Sequence, residues 1–165
     1  MEIVPVQEWS GEESLRKDIL ANPVNIAVIQ HTVTPECDSD VECLDYLRRM
    51  RKNAIVGGFT DIPYSFMIGG NGKVYEGAGW QRIGAHTFGY NAKSIGIGFI
   101  GDFRDKLPTS KALQAAKDLL VYGVENKHLA EDYKLLGHRQ LTNTISPGEE
   151  LYTEIQGWPQ WSESV

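Results

Sequence analysis

Asn25-Ile26-Ala27-Val28-Ile29-Gln30-His31-Thr32 is a continuous apolar run rich in β-branched residues, and it constrains the fold more than any other stretch of the chain. A strand with one face in water alternates apolar and polar residues, whereas an unbroken run of this kind suits a strand buried on both faces. Such a strand needs elements packed above and below it. Ser94-Ile95-Gly96-Ile97-Gly98-Phe99-Ile100-Gly101 is a second run of the same type. Its alternate glycines suggest close approach of a neighbouring element. Tyr133 to Gly137 reads as a third strand.

Between these runs the signals alternate. Ser39-Asp40-Val41-Glu42 has the form of a capping box, and the helix it opens ends before Gly57-Gly58. Pro63 to Ile68 and Lys73 to Glu76 flank Gly69-Gly70-Asn71-Gly72, and Asn-Gly between apolar alternations predicts a hairpin. Thr109 caps a helix whose apolar face is Ala112, Leu113, Ala116, Leu119, Leu120 and Val124. Ser146-Pro147-Gly148-Glu149 reads as the start of the last helix, with serine as cap, proline in the first turn and glutamate as box partner. Residues 1–23 read as a segment packed on the core, with a helical turn near Glu12 to Leu20. The order β-α-β-β-β-α-β-α predicts an α/β fold: one domain over residues 1–165, with a central mixed sheet and helices on its faces.

At 165 residues the chain is long enough to bury roughly two thirds of its unfolded surface in one core. A net charge of −6 and a pI near 5.2 leave no field for a phosphate backbone, so nucleic acid is excluded as a partner. The one basic cluster, Arg48, Arg49, Arg51 and Lys52, reads as a solvated helix face, with an anion-flanking role as the alternative. No run of 18 apolar residues is present, so no membrane span is expected, and Met1 to Pro5 lack the form of a signal peptide. Cys37 and Cys43, six positions apart, allow a small disulfide loop or two unrelated buried thiols. The disulfide is favoured, and it points to an oxidising compartment.

Four histidines are present. His128 lies in a charged run and reads as a surface or capping residue. His31 and His138 end strands, and His86 sits in the long loop from Gly77 to Lys93 together with Trp80 and Asn91. Open α/β sheets present their ligands at such strand ends. Each histidine alone reads as a satisfied structural residue, but with Tyr64 the three resemble part of a zinc-hydrolase cluster. Ser146 stands eight residues after His138, where a further ligand would close such a site.

The chain resembles the peptidoglycan recognition proteins, whose fold is shared with N-acetylmuramoyl-L-alanine amidases of the phage-lysozyme type. The resemblance rests on Val4-Pro5 with Glu8-Trp9, His31-Thr32, Cys37 and Cys43, Asp61-Ile62 with Tyr64, and Val74-Tyr75-Glu76-Gly77 with Gly79-Trp80. It continues through Gly84-Ala85-His86-Thr87, Ser94-Ile95-Gly96-Ile97, Gly137-His138-Arg139, Ser146-Pro147-Gly148 and Trp158-Pro159. In catalytic members a zinc ion is held by two histidines and a cysteine, which match His31, His138 and Ser146, while the assisting tyrosine matches Tyr64. A neutral hydroxyl supplies no charge to zinc near neutral pH. The resemblance therefore implies a non-catalytic member with no metal cofactor, in which His31, His138 and Ser146 are vestigial ligand positions.

What the resemblance implies instead is a cleft that holds a muramyl peptide, with His31, Thr32, Gly58, Phe59, Tyr64, Trp80, His86, Thr87, Asn91, His138 and Ser146 as candidate contacts. Gly58-Phe59 is half of each pair that marks lysine-type and diaminopimelate-type readers. Ala78 stands where diaminopimelate readers carry an arginine, and it supplies none of that guanidinium's pairing with the extra carboxylate. Arg82 and Arg104 are the only nearby replacements to consider. Asn53 and Gly57 also depart from common groove residues. The implied function is recognition of bacterial peptidoglycan in innate immunity, by a secreted protein or receptor ectodomain, with an intracellular setting left open. A partner or decoy that acts through contacts with related recognition proteins or signalling proteins is the second reading, and a zinc amidase the third.

Overall fold

The computed structural model describes residues 1–165. Six strands form one mixed sheet in the order β1-β4-β3-β5-β2-β6, with β1 at Ile3–Val4, β2 at Val24–His31, β3 at Phe66–Ile68, β4 at Val74–Glu76, β5 at Ile95–Phe99 and β6 at Leu129–Gly137. The β3–β4 hairpin is antiparallel and the other pairs are parallel. The helices are α1 (Val6–Ser10), α2 (Asp40–Val56), α3 (Ser110–Glu125) and α4 (Glu149–Ile155), with short 3-10 turns at Asn91–Lys93 and His138–Gln140.

Successive side chains of a strand point to opposite faces, and this alternation divides the core. Ala27, Ile29, Phe66, Ile68, Ile95, Ile97, Phe99 and Leu135 face α3 and α4 and form the larger cluster with Ala112, Ala116, Leu119, Leu151 and Ile155. Each fully buried aliphatic chain there contributes about 1.5–3 kcal/mol. On the other face Met67 and Tyr75 pack against Trp9, Cys43 and Leu47 of α1 and α2, while Ile26, Val28 and Leu136 pack under Tyr90 and Leu141. Between these two smaller clusters the sheet carries Gln30, Gly96 and Gly98. That is the floor of a cleft.

The helices expected at α2 and α3 are present, with their serine and threonine caps, but the box at α2 is only half formed. Ser39 Oγ accepts from the Glu42 amide, although the Glu42 carboxylate reaches past the cap to the Asp38 amide. Thr109 Oγ1 accepts from the Ala112 amide. Two other expectations are corrected. The N-terminal helix lies at Val6–Ser10, not at Glu12 to Leu20, because fully buried Trp9 anchors it and donates its indole N–H to Glu76 O at 2.8 Å. The basic cluster is not one solvated face. Arg49 does pair in solvent with Asp45, but Arg51 is 5% exposed and donates from Nε to Asp61 Oδ1 at 2.9 Å, and Arg48 Nε donates to Trp9 O.

Cys37 and Cys43 form a disulfide between the loop after β2 and the first turns of α2, with Cα atoms 5.1 Å apart. Both cysteines are fully buried. Replacing both by alanine is expected to lower stability by about 2–2.5 kcal/mol, the chain-entropy value for so short a loop. Urea denaturation of the double variant checks this, and an unchanged midpoint would contradict it.

Candidate functional site

The parallel register of β2, β5 and β6 places three carboxyl-terminal ends side by side, with His31 opposite Phe99 and Ile29 opposite Gly137. His31 ends β2 and His138 follows β6 directly, so topology alone brings them to one edge. Ser146 joins them from the loop before α4: its Oγ accepts the His31 backbone N–H at 3.2 Å. Ser146 is therefore not a helix cap. Gly148 occupies that position with no side-chain bond, and Glu149 binds Arg139 instead of closing a capping box. Proline and glycine after Ser146 postpone the helix, which frees the serine to face β2.

His31 is 3% exposed. Its Nδ1 accepts the Phe103 backbone N–H at 3.1 Å, so the neutral ring carries its proton on Nε2. That Nε2, His86 Nε2, His138 Nδ1 and Gln30 Oε1 are all buried without partners within the chain. Buried polar atoms are rarely left unpaired, and four around one cleft mark a place able to exchange hydrogen bonds with something else, His31 Nε2–H as a donor and Gln30 Oε1 as an acceptor.

His86 hangs over the glycines of β5. A Cβ on Gly96 would lie 2.4 Å from the His86 ring, and one on Gly98 would lie 2.9 Å from Tyr64, so the alternate glycines exist to admit these two side chains. Gln30 Nε2 donates to His86 O, and His86 Nδ1 shares a 2.9 Å hydrogen bond with buried Thr87 Oγ1. Asn91 Oδ1 accepts from the amides of both His86 and Thr87. Its carbonyl is thus spent on holding the loop rather than offered to a ligand. Thr32 Oγ1 accepts the Gly101 amide and touches Thr34 Oγ1 at 2.7 Å.

Burial pushes His86 down to about 3 and His138 down to about 4, each with a neighbouring histidine adding to the effect, and it lowers His31 as well. Burial also pushes Tyr64 up to about 12, so it stays a phenol. The three imidazoles and the phenol are neutral at physiological pH. Below about pH 6.5 the unfolded chain takes up protons that the folded histidines refuse, so stability is full above that value and falls as pH drops toward 4. Between pH 7 and pH 5 a loss of about 1–2 kcal/mol for each of His86 and His138 is expected in urea titrations. Equal stabilities at the two values would contradict the burial of these rings.

Trp80 is not part of the cleft. It is 9% exposed on the opposite face of the sheet, 4.7 Å from Phe66 and stacked on His128 at 4.9 Å. The turn through Gly79 (φ 77°) carries it there, and Gly123 of α3 makes room, since a Cβ on it would lie 2.6 Å from the indole. His128 is accordingly half-buried, bonding Asn22 Oδ1 through Nδ1, while its backbone amide caps α3 at Gly123 O. Gly58 (φ 104°) and Phe59, which is 46% exposed, lie in the loop after α2. Neither hydrogen-bonds the histidines. Asn53 lines a trough of about 370 Å³ along α2 with Thr34, Pro35, Tyr46, Arg49 and Met50. Arg82 donates to Ala78 O and faces Glu76 at 3.5 Å, and Arg104 is paired with Asp102. Neither guanidinium is left free to replace the side chain that Ala78 lacks. Gln30 and Phe103 were not singled out from sequence; a lone amide inside an apolar strand, one residue before His31, was the available signal.

A family profile for N-acetylmuramoyl-L-alanine amidase matches residues 20–149. A peptidoglycan recognition protein of Bombyx mori is 46% identical over 165 residues, covering 99% of this chain and 84% of the relative. The chain belongs to the peptidoglycan recognition protein family. Peptidoglycan-recognition protein SA of Drosophila melanogaster is 49% identical over 158 residues, covering 94% of this chain and 77% of that protein. Among solved structures, the family member PGRP-SA of Apis mellifera superposes with a TM-score of 0.96 at 41% identity, covering 99% and 100% of the two chains. PGRP-LE, solved in complex with tracheal cytotoxin, a monomeric diaminopimelic acid-type peptidoglycan, gives 0.94 at 41% identity, covering 98% and 96%. The mixed sheet with helices on its faces expected from the strand runs, and the amidase-like fold implied by the resemblance, are those of the family. No helix is long and apolar enough to cross a membrane.

Proposed function

We propose that this chain recognises the muramyl peptide of bacterial peptidoglycan in the cleft of His31, Tyr64, His86 and His138, and does not cleave it. The observation that carries the reading is Ser146 Oγ held by the His31 amide, beside a ring whose Nδ1 already receives the Phe103 amide. Zinc needs charged or strongly basic donors converging on one point. Two imidazoles and a neutral hydroxyl that accepts a backbone N–H do not fit it, and no group of three His, Cys, Asp or Glu side chains is placed to hold a metal ion. The unpartnered atoms of His31, His86 and His138 suit the amides and carbonyls of a stem peptide. Thr87 bonds the His86 ring, Thr32 follows His31 at the end of β2, and Tyr64 supplies an aromatic wall. Gly58 and exposed Phe59, in the loop after α2, are proposed as further contacts. The Cys37–Cys43 bridge supports an extracellular setting, as a secreted protein or an ectodomain, and the role is innate immune sensing.

Ala78, with Arg82 and Arg104 engaged elsewhere, favours a second reading in which binding is weak and the protein acts through contacts with related proteins. Calorimetric titration with lysine-type and diaminopimelate-type muramyl tripeptides separates the two. The first reading expects the lysine-type ligand to bind more tightly. Tight diaminopimelate binding would overturn the inference from Ala78, and silence with both ligands would leave the second reading standing.

A further inference from the structure

His138 is delivered not by β6 itself but by the 3-10 turn His138–Gln140 that follows it. A 3-10 turn of this length has poor internal hydrogen bonding and holds little stability of its own. The Leu141 and Thr142 amides donate to His138 O, and the third residue of the turn adds a side-chain clamp to them. Gln140 Oε1 accepts the Gly137 N–H at 2.7 Å, closing the turn over the residue it presents. Gln140 Nε2 donates in the other direction, to Ser162 O at 3.0 Å and Glu163 O at 3.1 Å. The segment that receives those bonds is itself fastened: Leu135 N–H donates to Gln160 O, Ser162 N–H donates to Leu135 O, and Trp161 packs edge-on against Tyr152 at 5.6 Å. Both ends of one amide therefore clamp the turn, one to the last strand and the other to residues 160–163.

We infer that Gln140 is a positioning residue for His138, and that residues 160–163 belong to the structure of the cleft through it. Gly137 is the last residue of β6, opposite Ile29, and a Cβ there would lie 2.7 Å from the Tyr152 ring, so the amide of Gln140 fixes the turn at the point where the sheet pairing stops. His138 Nδ1, buried and unpartnered, depends on the setting of that turn to meet a ligand. The inference rests on the proposed muramyl cleft only for its effect on affinity.

Gln140→Met keeps the volume and removes all three hydrogen bonds; Gln140→Glu keeps an acceptor for Gly137 and loses the donor to the tail. Two readouts apply to the intact protein: the ring resonances of His31, His86 and His138 by NMR, and calorimetric affinity for N-acetylmuramyl tripeptide. In the methionine variant the His138 ring signals are expected to move while those of His31 and His86 stay, and affinity is expected to fall about tenfold, the loss of one to two hydrogen bonds' worth of placement. The glutamate variant is expected to fall between. A general loosening would move all three rings together and overturns the inference, as does a methionine variant with unmoved His138 signals. Wild-type protein that fails to bind the tripeptide would refute the proposed function, while the ring signals would still decide the role of Gln140.

Discussion

Ser146→Cys is expected to raise zinc affinity over the wild-type protein by about 10³-fold, by adding a thiolate to two imidazoles. Ser146 Oγ already lies 3.2 Å from the His31 amide, and His31 is close enough to His138 to depress its protonation. A thiolate there would add the charged donor that the two imidazoles lack. One local cost opposes it, because a ring that ligates through Nδ1 must give up the Phe103 amide. That bond is worth about 1 kcal/mol, against roughly 10–16 kcal/mol for a complete protein zinc site, so the metal wins. Zinc retained after gel filtration and measured by mass spectrometry checks this. Failure of the variant to retain zinc would mean that His31, His138 and position 146 do not converge on one point.

Asp61→Ala is expected to cost about 3–5 kcal/mol. Burial alone would push the Asp61 carboxyl up, but the Arg51 guanidinium and the amides of Leu15 and Ile62 outweigh it and hold the group below the usual carboxylate range. Alanine would leave Arg51, almost fully buried, without that partner, and exposed Glu12 is a weak substitute. At this chain length the loss corresponds to a fall in Tm of roughly 10–15 °C. It reaches the cleft as well, since Asp61 and Ile62 carry the chain into Pro63 and Tyr64. A double variant, Arg51→Met with Asp61→Leu, removes both charges and should recover part of the loss, since the Leu15 and Ile62 amides still lack their acceptor. A Tm for Asp61→Ala within 2 °C of wild type would show that the pair contributes little.

The central sheet was legible because burial on both faces writes itself into residues 25–32 and 94–101 as unbroken apolar runs, and the hairpin because Asn71-Gly72 has few other uses. Alternate glycines at 96 and 98 announced a close approach, although only the structure shows that His86 and Tyr64 are what approaches. Trp80 was misplaced because a tryptophan in a long loop offers no period to say which face of the sheet it meets; the glycine inside α3 at position 123 was the cue. Ser146 was misread for a related reason. Ser-Pro-Gly-Glu satisfies a local capping rule, but a contact 115 positions away in sequence decides where its hydroxyl points. Arg51 looked like one of four solvated cations, since its partner Asp61 lies beyond the end of its own helix. Local rules place elements well. They do not say which side chain crosses the sheet.

The most direct test of recognition without cleavage is a single calorimetric titration with lysine-type muramyl tripeptide, with the ligand recovered afterwards and weighed by mass spectrometry. Saturable binding followed by quantitative return of intact ligand, with and without added zinc, is the predicted result. Release of free tripeptide, by scission of the bond between muramic acid and L-alanine, would contradict the account.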